Sequence, residues 1–153
     1  MIEVKIKLLD GGIMPERKTK GAAAFDCYAR ETVEMGYDPV LIGLGFALEL
    51  PEGYHAEIMP RSSIGLKTNL RQPNCVGIID SDYRGEVKAM YEMKPLLDID
   101  GCAFYPRTPY AIFKGDRIAQ MIIKKNEDVE LVEVDGLSET DRGEGGFGST
   151  GRF

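Results

Sequence analysis

The chain has no tryptophan, a single histidine (His55) and three cysteines among its 153 residues. One imidazole argues strongly against a metal centre assembled from several histidines. It argues only weakly against a Ser-His-Asp mechanism, which needs just one. Cys27, Cys75 and Cys102 are odd in number, far apart and without a C-x-x-C pair. Reduced thiols are the simplest reading, with a structural zinc on scattered cysteines as the minor alternative. Positive charge is also short: 19 lysines and arginines face 25 acids, for a net charge of −6. General nucleic-acid and anionic-membrane binders carry the opposite sign, so an anionic ligand must here be met by local cations or a metal. The longest uncharged apolar run, Val40–Leu48, falls far short of the ~20 residues that cross a bilayer. The opening MIEVKIKLLD interrupts its apolar residues with charge, unlike a signal peptide. The expectation is a cytoplasmic protein with neither a membrane nor a nucleic-acid partner.

What the sequence does contain is strands. In IEVKIKLL, Ile2, Val4, Ile6 and Leu8 share one face, and Glu3, Lys5 and Lys7 the other. In LIGLGFALEL, Ile42, Leu44, Phe46, Leu48 and Leu50 alternate with small or polar residues. YHAEIM, CVGIID, GEVKAMYEM, AIFKG, RIAQMIIKK and VELVEV read as further strands, separated by turn signals such as PEG, SDYRGE and KGD. One segment, RSSIGLKTNLRQ, suits a short helix, with Ser62 or Ser63 as its cap and Pro73 as its stop. The stretch Met93–Tyr110 holds three prolines and reads as an irregular excursion between strands. Length and pattern together predict one all-β domain, a sandwich or barrel.

Near the end stands RGEGGFGSTG, half of it glycine, with one large apolar residue, Phe147. Ordering a backbone residue costs roughly 1–2 kcal/mol, most for glycine, whereas burying one Phe returns roughly 1.5–3 kcal/mol. The free segment is therefore expected to be mobile. On one reading it is simply a disordered terminus. On the other, glycine N–H groups, Ser149, Thr150 and Arg142 close on an anion while Phe147 stacks on a ring, which suits a nucleotide. Gly143, Gly145 and Gly148 satisfy G-x-G-x-x-G, but no helix or ribose-binding acid can follow, so a dinucleotide fold is rejected.

Other constellations point the same way. PRSSIGLK sets Arg61, Ser62 and Ser63 at a strand-to-helix junction suited to phosphate, or else to a plain cap. NCVGIIDSDYRGEVK reads as a hairpin with Asp80 and Asp82 at its bend and Tyr83 beside them. Aspartates there either cap the turn or, near a polyphosphate, take a proton from water. AAAFDCYA places Asp26 in an apolar run, where a charge needs a partner or a metal. GDRIAQMII carries Asp116, Arg117 and Gln120, for which a salt bridge and an edge amide are the plain reading. His55 reads as a structural strand residue.

AAAFDCYA, PRSSIGLK, GIIDSDYRGEVK, GDRIAQMII and RGEGGFGSTG, in this order, closely resemble the five motifs of the trimeric dUTPase family and span residues 22 to 151. The resemblance implies a jelly-roll-like β-barrel with one short helix in residues 1–141, and residues 142–153 as a flexible arm closing over the site. It implies a homotrimer whose active sites are each built from three chains. It further implies hydrolysis of dUTP to dUMP and pyrophosphate with Mg²⁺ held by the substrate phosphates. Asp80 corresponds to the aspartate that activates the attacking water. Asn74 and the backbone of Gly77, Ile78, Ile79 and Asp80 correspond to the uracil-reading hairpin, with Lys88 farther along it and Tyr83 against the deoxyribose. Arg61, Ser62, Ser63 and Gln120 correspond to phosphate binders, and Asp26 to an aspartate supporting the metal through water. Arg142, Phe147, Gly148, Ser149 and Thr150 belong to the arm, with Phe147 on uracil. Three features depart from the usual pattern: the alanine-rich first motif, Ser63 where glycine is frequent, and the long Met93–Tyr110 excursion. Two other readings follow from the same fold. A dCTP deaminase shares R-S-S, but has glutamate at the position of Asp80 and lacks the arm. A nucleotide-gated interaction protein would use the excursion to meet a partner.

Overall fold

The computed structural model describes residues 2–36, 38–97, 100–104 and 110–146. Its elements, in chain order, are β1 (Lys5–Leu8), β2 (Phe25–Tyr28), β3 (Val33–Met35), β4 (Val40–Gly43), β5 (Phe46–Glu49) and β6 (Tyr54–Pro60). Then come α1 (Ser62–Lys67), β7 (Leu70–Arg71), β8 (Gly77–Ile79), β9 (Lys88–Met93), β10 (Leu96–Leu97), β11 (Ala103–Phe104), β12 (Tyr110–Ile112) and β13 (Arg117–Lys125). The all-β expectation with one short helix holds.

A four-stranded sheet, in the order β2-β13-β6-β8, carries Asp26, Gly77, Ile78, Ile79 and Gln120 of the candidate site residues. Its long strand β13 pairs antiparallel with both neighbours, so that Gln120 lies opposite Asp26 on one side and Met59 on the other. A second sheet runs β4-β9-β7, and β1-β5, β3-β12 and β10-β11 are two-stranded ribbons. Between them lies one core. Ile42, Leu44, Phe46, Leu48 and Leu50 are all buried as foreseen, although Gly43, Gly45 and Ala47 between them are buried as well. Each such large side chain contributes about 1.5–3 kcal/mol over exposure. Tyr91 is fully buried and donates its hydroxyl to the Ile118 carbonyl at 2.6 Å, which satisfies the one polar atom it brings inside.

The run expected as one strand from Leu41 to Leu50 is broken at Gly45, whose φ is +76°. There the chain passes so close to Gly12 that a Cβ on Gly12 would stand 2.0 Å from the Gly45 carbonyl oxygen. Glycine at both positions is what lets the two turns touch.

Three local expectations come out differently. The helix starts at Ser62 with Arg61 as its cap residue and no side-chain cap bond, so neither serine hydroxyl is used as a cap. The strand expected from Cys75 begins only at Gly77, because Cys75 turns with φ +59°. VELVEV forms no strand within this chain. Residues 126–137 run without regular structure, leaving Val129, Leu131 and Leu137 at 81%, 96% and 91% exposure. The period-2 pattern is present, but among the described residues the segment is not laid against any of the free sheet edges. The apolar face of β1 is also uncovered: Ile2, Val4, Phe25, Leu48, Met121 and Ile123 line an open groove of about 570 Å³. No helix among the described residues is long and apolar enough to cross a membrane.

Candidate active site

The phosphate-side residues gather where β2, β6 and β13 run side by side. Asp26, 16% exposed, is gripped from both sides: Oδ1 lies 3.0 Å from Arg61 Nε, and Oδ2 accepts from Arg117 Nη1 at 3.1 Å. Arg61 also donates from Nη1 to the Arg117 carbonyl at 3.3 Å. The charge that the sequence placed in an apolar run is thus neutralised by two guanidinium groups, which it orients in turn. Gln120 donates from Nε2 to the Pro60 carbonyl at 3.1 Å, next to Arg61. Beside this cluster a cavity of about 660 Å³ is lined by Lys18, Arg61, Ser63, Lys67 and Arg117, with Asp116 as its carboxylate. Four cations on one cavity are what an acidic chain needs to meet a polyanion. Ser62 lines a neighbouring cavity of about 330 Å³, which shares Arg61 with the first and is also lined by Gln72, Cys75 and Lys94.

The residues expected at the base gather around the bend after β8, whose two arms do not pair as the expected hairpin: β8 joins β6, whereas β9 joins β4 and β7. Ile78, Ile79, Asp80, Tyr83, Glu86 and Lys88 line a cavity of about 230 Å³. Tyr83 donates its hydroxyl to the Glu86 carbonyl at 3.1 Å. Gly85 permits this fold-back, since a Cβ there would stand 2.4 Å from the Tyr83 oxygen. Asn74 Nδ2 reaches to 3.6 Å from where a Cβ on Gly77 would lie, so its amide hangs over the start of β8. Glu86 is held by the Gly45 amide at 3.1 Å and Arg30 Nε at 3.4 Å.

The cavity holding Asp80, Tyr83 and Lys88 and the cavity holding Arg61, Ser63 and Arg117 have no lining residue in common. Within one chain the two groups stand apart. Arg142 lies in neither: its Nε donates to the Gly145 carbonyl at 2.8 Å inside a tight turn over residues 141–144. Phe147, Gly148, Ser149 and Thr150 lie outside the described residues.

Two neighbours complete the electrostatics. Burial, with the Asp26 charge beside it, pushes the Cys27 thiol up to about 12, so Cys27 is an inert core group rather than a nucleophile. Lys18 and the Tyr28 hydroxyl both hydrogen-bond Glu16 and hold its carboxyl below the usual carboxylate range, the Tyr28 bond being 2.6 Å. The sequence reading passed over Lys18 and treated Arg117 as a plain salt-bridge partner. Arg117 stands opposite Tyr28 at the head of β13 and reaches Asp26 through its side chain, a neighbour that spacing alone does not show.

These features define an all-β nucleotide-hydrolysing enzyme: a carboxylate beside a base-sized slot, and a cationic chamber for a polyphosphate. The dUTPase family model matches residues 10–93 and 104–151, skipping most of the excursion. A deoxyuridine 5'-triphosphate nucleotidohydrolase of Finegoldia magna is 39% identical over 98% of this chain and 99% of its own. That of Corynebacterium diphtheriae is 43% identical over 97% and 92%. Among solved structures, a point mutant of the Staphylococcus bacteriophage 80alpha dUTPase with dUpNHpp superposes with a TM-score of 0.81 at 30% identity, covering 99% of this chain and all of its own. A mutant dUTPase of the S. aureus phage phi11, described as coordinating a structural Mg(II) ion, gives a TM-score of 0.73 at 27% identity over 88% and 98%. The chain belongs to the dUTPase family.

Proposed function

We propose that the chain carries out its family's reaction, hydrolysis of dUTP to dUMP and pyrophosphate, at sites where the two half-sites of different copies face each other. The separation of the Asp80 cavity from the Arg61 cavity within one chain carries this reading. A substrate with base and triphosphate at opposite ends spans both. Uracil lies along Gly77–Asp80 under Asn74, the deoxyribose against Tyr83, and Lys88 borders the base. The triphosphate lies on Arg61, Ser62, Ser63 and Gln120, with Arg117 and Lys18 extending the cationic wall. Asp80 accepts a proton from water as its oxygen attacks the α-phosphorus. The bond from that phosphorus to the bridging oxygen breaks, and pyrophosphate departs with the electron pair. Before this step the arm covers the bound substrate, with Arg142, Gly148, Ser149 and Thr150 toward the phosphates and Phe147 on the base.

Among the described residues no group of three or more His, Cys, Asp or Glu side chains is gathered to hold a metal. Mg²⁺ keeps most of its waters and binds through substrate phosphates, so the donor set fits it without such a cage. Asp26, already bound to two arginines, would reach the ion only through water. When bound, Mg²⁺ neutralises phosphate charge that the acidic chain cannot. The test is pyrophosphate release from dUTP, dCTP, dTTP and UTP, with Mg²⁺ and with EDTA. Release from dUTP alone, lost in EDTA, is expected; equal release from all four would sink the reading.

The assembly is a homotrimer on this proposal, and an exposed apolar segment supports the contact. Among the described residues nothing covers Leu131 and its neighbours, and nothing fills the groove along β1. Seating residues 129–134 of one copy in that groove of another buries both. Leu131→Asp is expected to convert the trimer to monomer by light scattering at micromolar concentration. Activity should fall at least tenfold, since a buried Leu contributes about 1.5–3 kcal/mol per contact. Unchanged mass would rule the contact out.

A second reading has one observation in its favour. The β10–β11 ribbon pairs only with itself, and the family model skips residues 94–103. The phage 80alpha dUTPase is described as one of the phage dUTPases that control transfer of virulence genes by a G protein-like mechanism. A comparable regulatory contact through this excursion is compatible with catalysis.

A further inference from the structure

We infer that Gln72 is a positioning residue for base recognition: its buried amide clamps the turn before β8 and so fixes where Asn74 stands. The inference rests on the reading of Asn74 and Gly77–Asp80 as the uracil-reading segment.

Gln72 is the one buried polar side chain among the described residues, at 7% exposure. Its Nε2 donates to two carbonyls, Ile58 at 3.0 Å and Cys75 at 3.3 Å. Ile58 is the β6 residue paired with Gly77, so the amide ties the turn to the strand at the point where β8 begins. Cys75 is the only described non-glycine residue with positive φ, +59°, a conformation that L side chains resist. The turn closes through Cys75 N–H to the Gln72 carbonyl at 3.1 Å and Val76 N–H to the Asn74 carbonyl at 2.6 Å. A donor on the Cys75 carbonyl therefore holds the Cys75–Val76 peptide unit, which would otherwise relax, and Asn74 is the residue directly before Cys75. The Asn74 amide, poised above Gly77, moves with it. Oε1 of Gln72 is buried without a partner. A polar side chain kept in the core with one atom unsatisfied is costly for stability alone. The cost is understandable if the amide's task is to hold the turn.

Gln72→Met keeps length and removes both donors. Its KM for dUTP is expected to rise about tenfold, the equivalent of one or two lost hydrogen bonds. kcat should stay within about twofold, and preference for dUTP over dCTP should fall about as much as KM rises. Adding Cys75→Gly, which accepts positive φ without strain, should recover part of the KM. A lowered Tm with wild-type KM and wild-type discrimination would overturn the proposal, as would a fall in kcat at constant KM. Asn74→Ala separates this from the underlying reading. If Asn74→Ala leaves KM and base preference unchanged, the segment does not read the base; if it changes both while Gln72→Met changes neither, only the clamp is wrong. Should Gln72→Met fail to fold, wild-type protein decides by NMR: saturating dUMP is expected to shift the Gln72 side-chain amide signals together with those of Asn74. Asn74 shifting alone would refute the clamp.

Discussion

Asp80→Asn is expected to lower the rate of pyrophosphate release from dUTP by about three orders of magnitude, the middle of the range for removing a general base. The substitution keeps size and shape at an exposed position on the rim of the base-side cavity, so folding and assembly should be intact. An amide oxygen is far too weak a base to take a proton from water, so attack must proceed from neutral water. Binding should move the other way. A carboxylate near a polyphosphate repels it, and its loss should leave affinity for a non-hydrolysable dUTP analogue unchanged or tighter. kcat therefore collapses while Kd does not. A variant that keeps wild-type kcat would remove Asp80 from the reaction, and one that loses binding and turnover together would make it a substrate ligand instead. The same protein sorts the two functional readings. A regulatory contact through the β10–β11 ribbon should survive in a variant that binds nucleotide without hydrolysing it.

How far the sequence alone reaches depends on whether the partner is near in the chain. Ile42, Leu44, Phe46, Leu48 and Leu50 were legible because strand periodicity is local and all five pack inward. So was the Asp80–Tyr83 bend, which Tyr83 N–H closes onto the Asp80 carbonyl, but not that the strands on either side of it join different sheets instead of each other. The grip on Asp26 was not. Arg117 lies 91 positions away and meets Asp26 only because β13 comes to lie beside β2. The capping of α1 was misread because Ser62 and Ser63 both have cap propensity, and only the backbone shows that Arg61 occupies the cap. The VELVEV run had the right period, yet a strand also needs an edge to pair with, and no sequence pattern tells whether that edge lies in the same chain. Gln72 left no signal at all: its environment is made by Ile58 and Cys75, which flank it only after folding.

Ending the chain at Asp141 is the other large expected effect. Residues 126–146 touch little of the barrel: Arg142 bonds to Gly145, Gly143 to Thr140, and none of these lines the cavities around Asp80 or Arg61. The truncated protein should therefore fold with wild-type Tm and keep its trimer, since the proposed contact through Leu131 lies upstream of the cut. What it loses is the cover. Without Arg142, Ser149 and Thr150 the triphosphate keeps fewer donors, and without Phe147 the base is free to tilt. Water then enters a site whose electrostatics depend on excluding it. Misplacing reacting groups by about an ångström costs on the order of a hundredfold, so a fall of at least that size in kcat/KM is expected. The absence of tryptophan elsewhere allows a direct check. Phe147→Trp in the full-length chain should report closure as a fluorescence change that saturates with the dUTP analogue, requires Mg²⁺, and is weaker with dCTP. Such a change with full activity in the truncated enzyme would mean that the arm moves but does not matter. No change at all, with activity lost on truncation, would mean that Arg142 and the hydroxyls act without the ring. Loss of activity together with a saturable signal is the one combination in which ordering a glycine-rich segment over bound nucleotide completes the site.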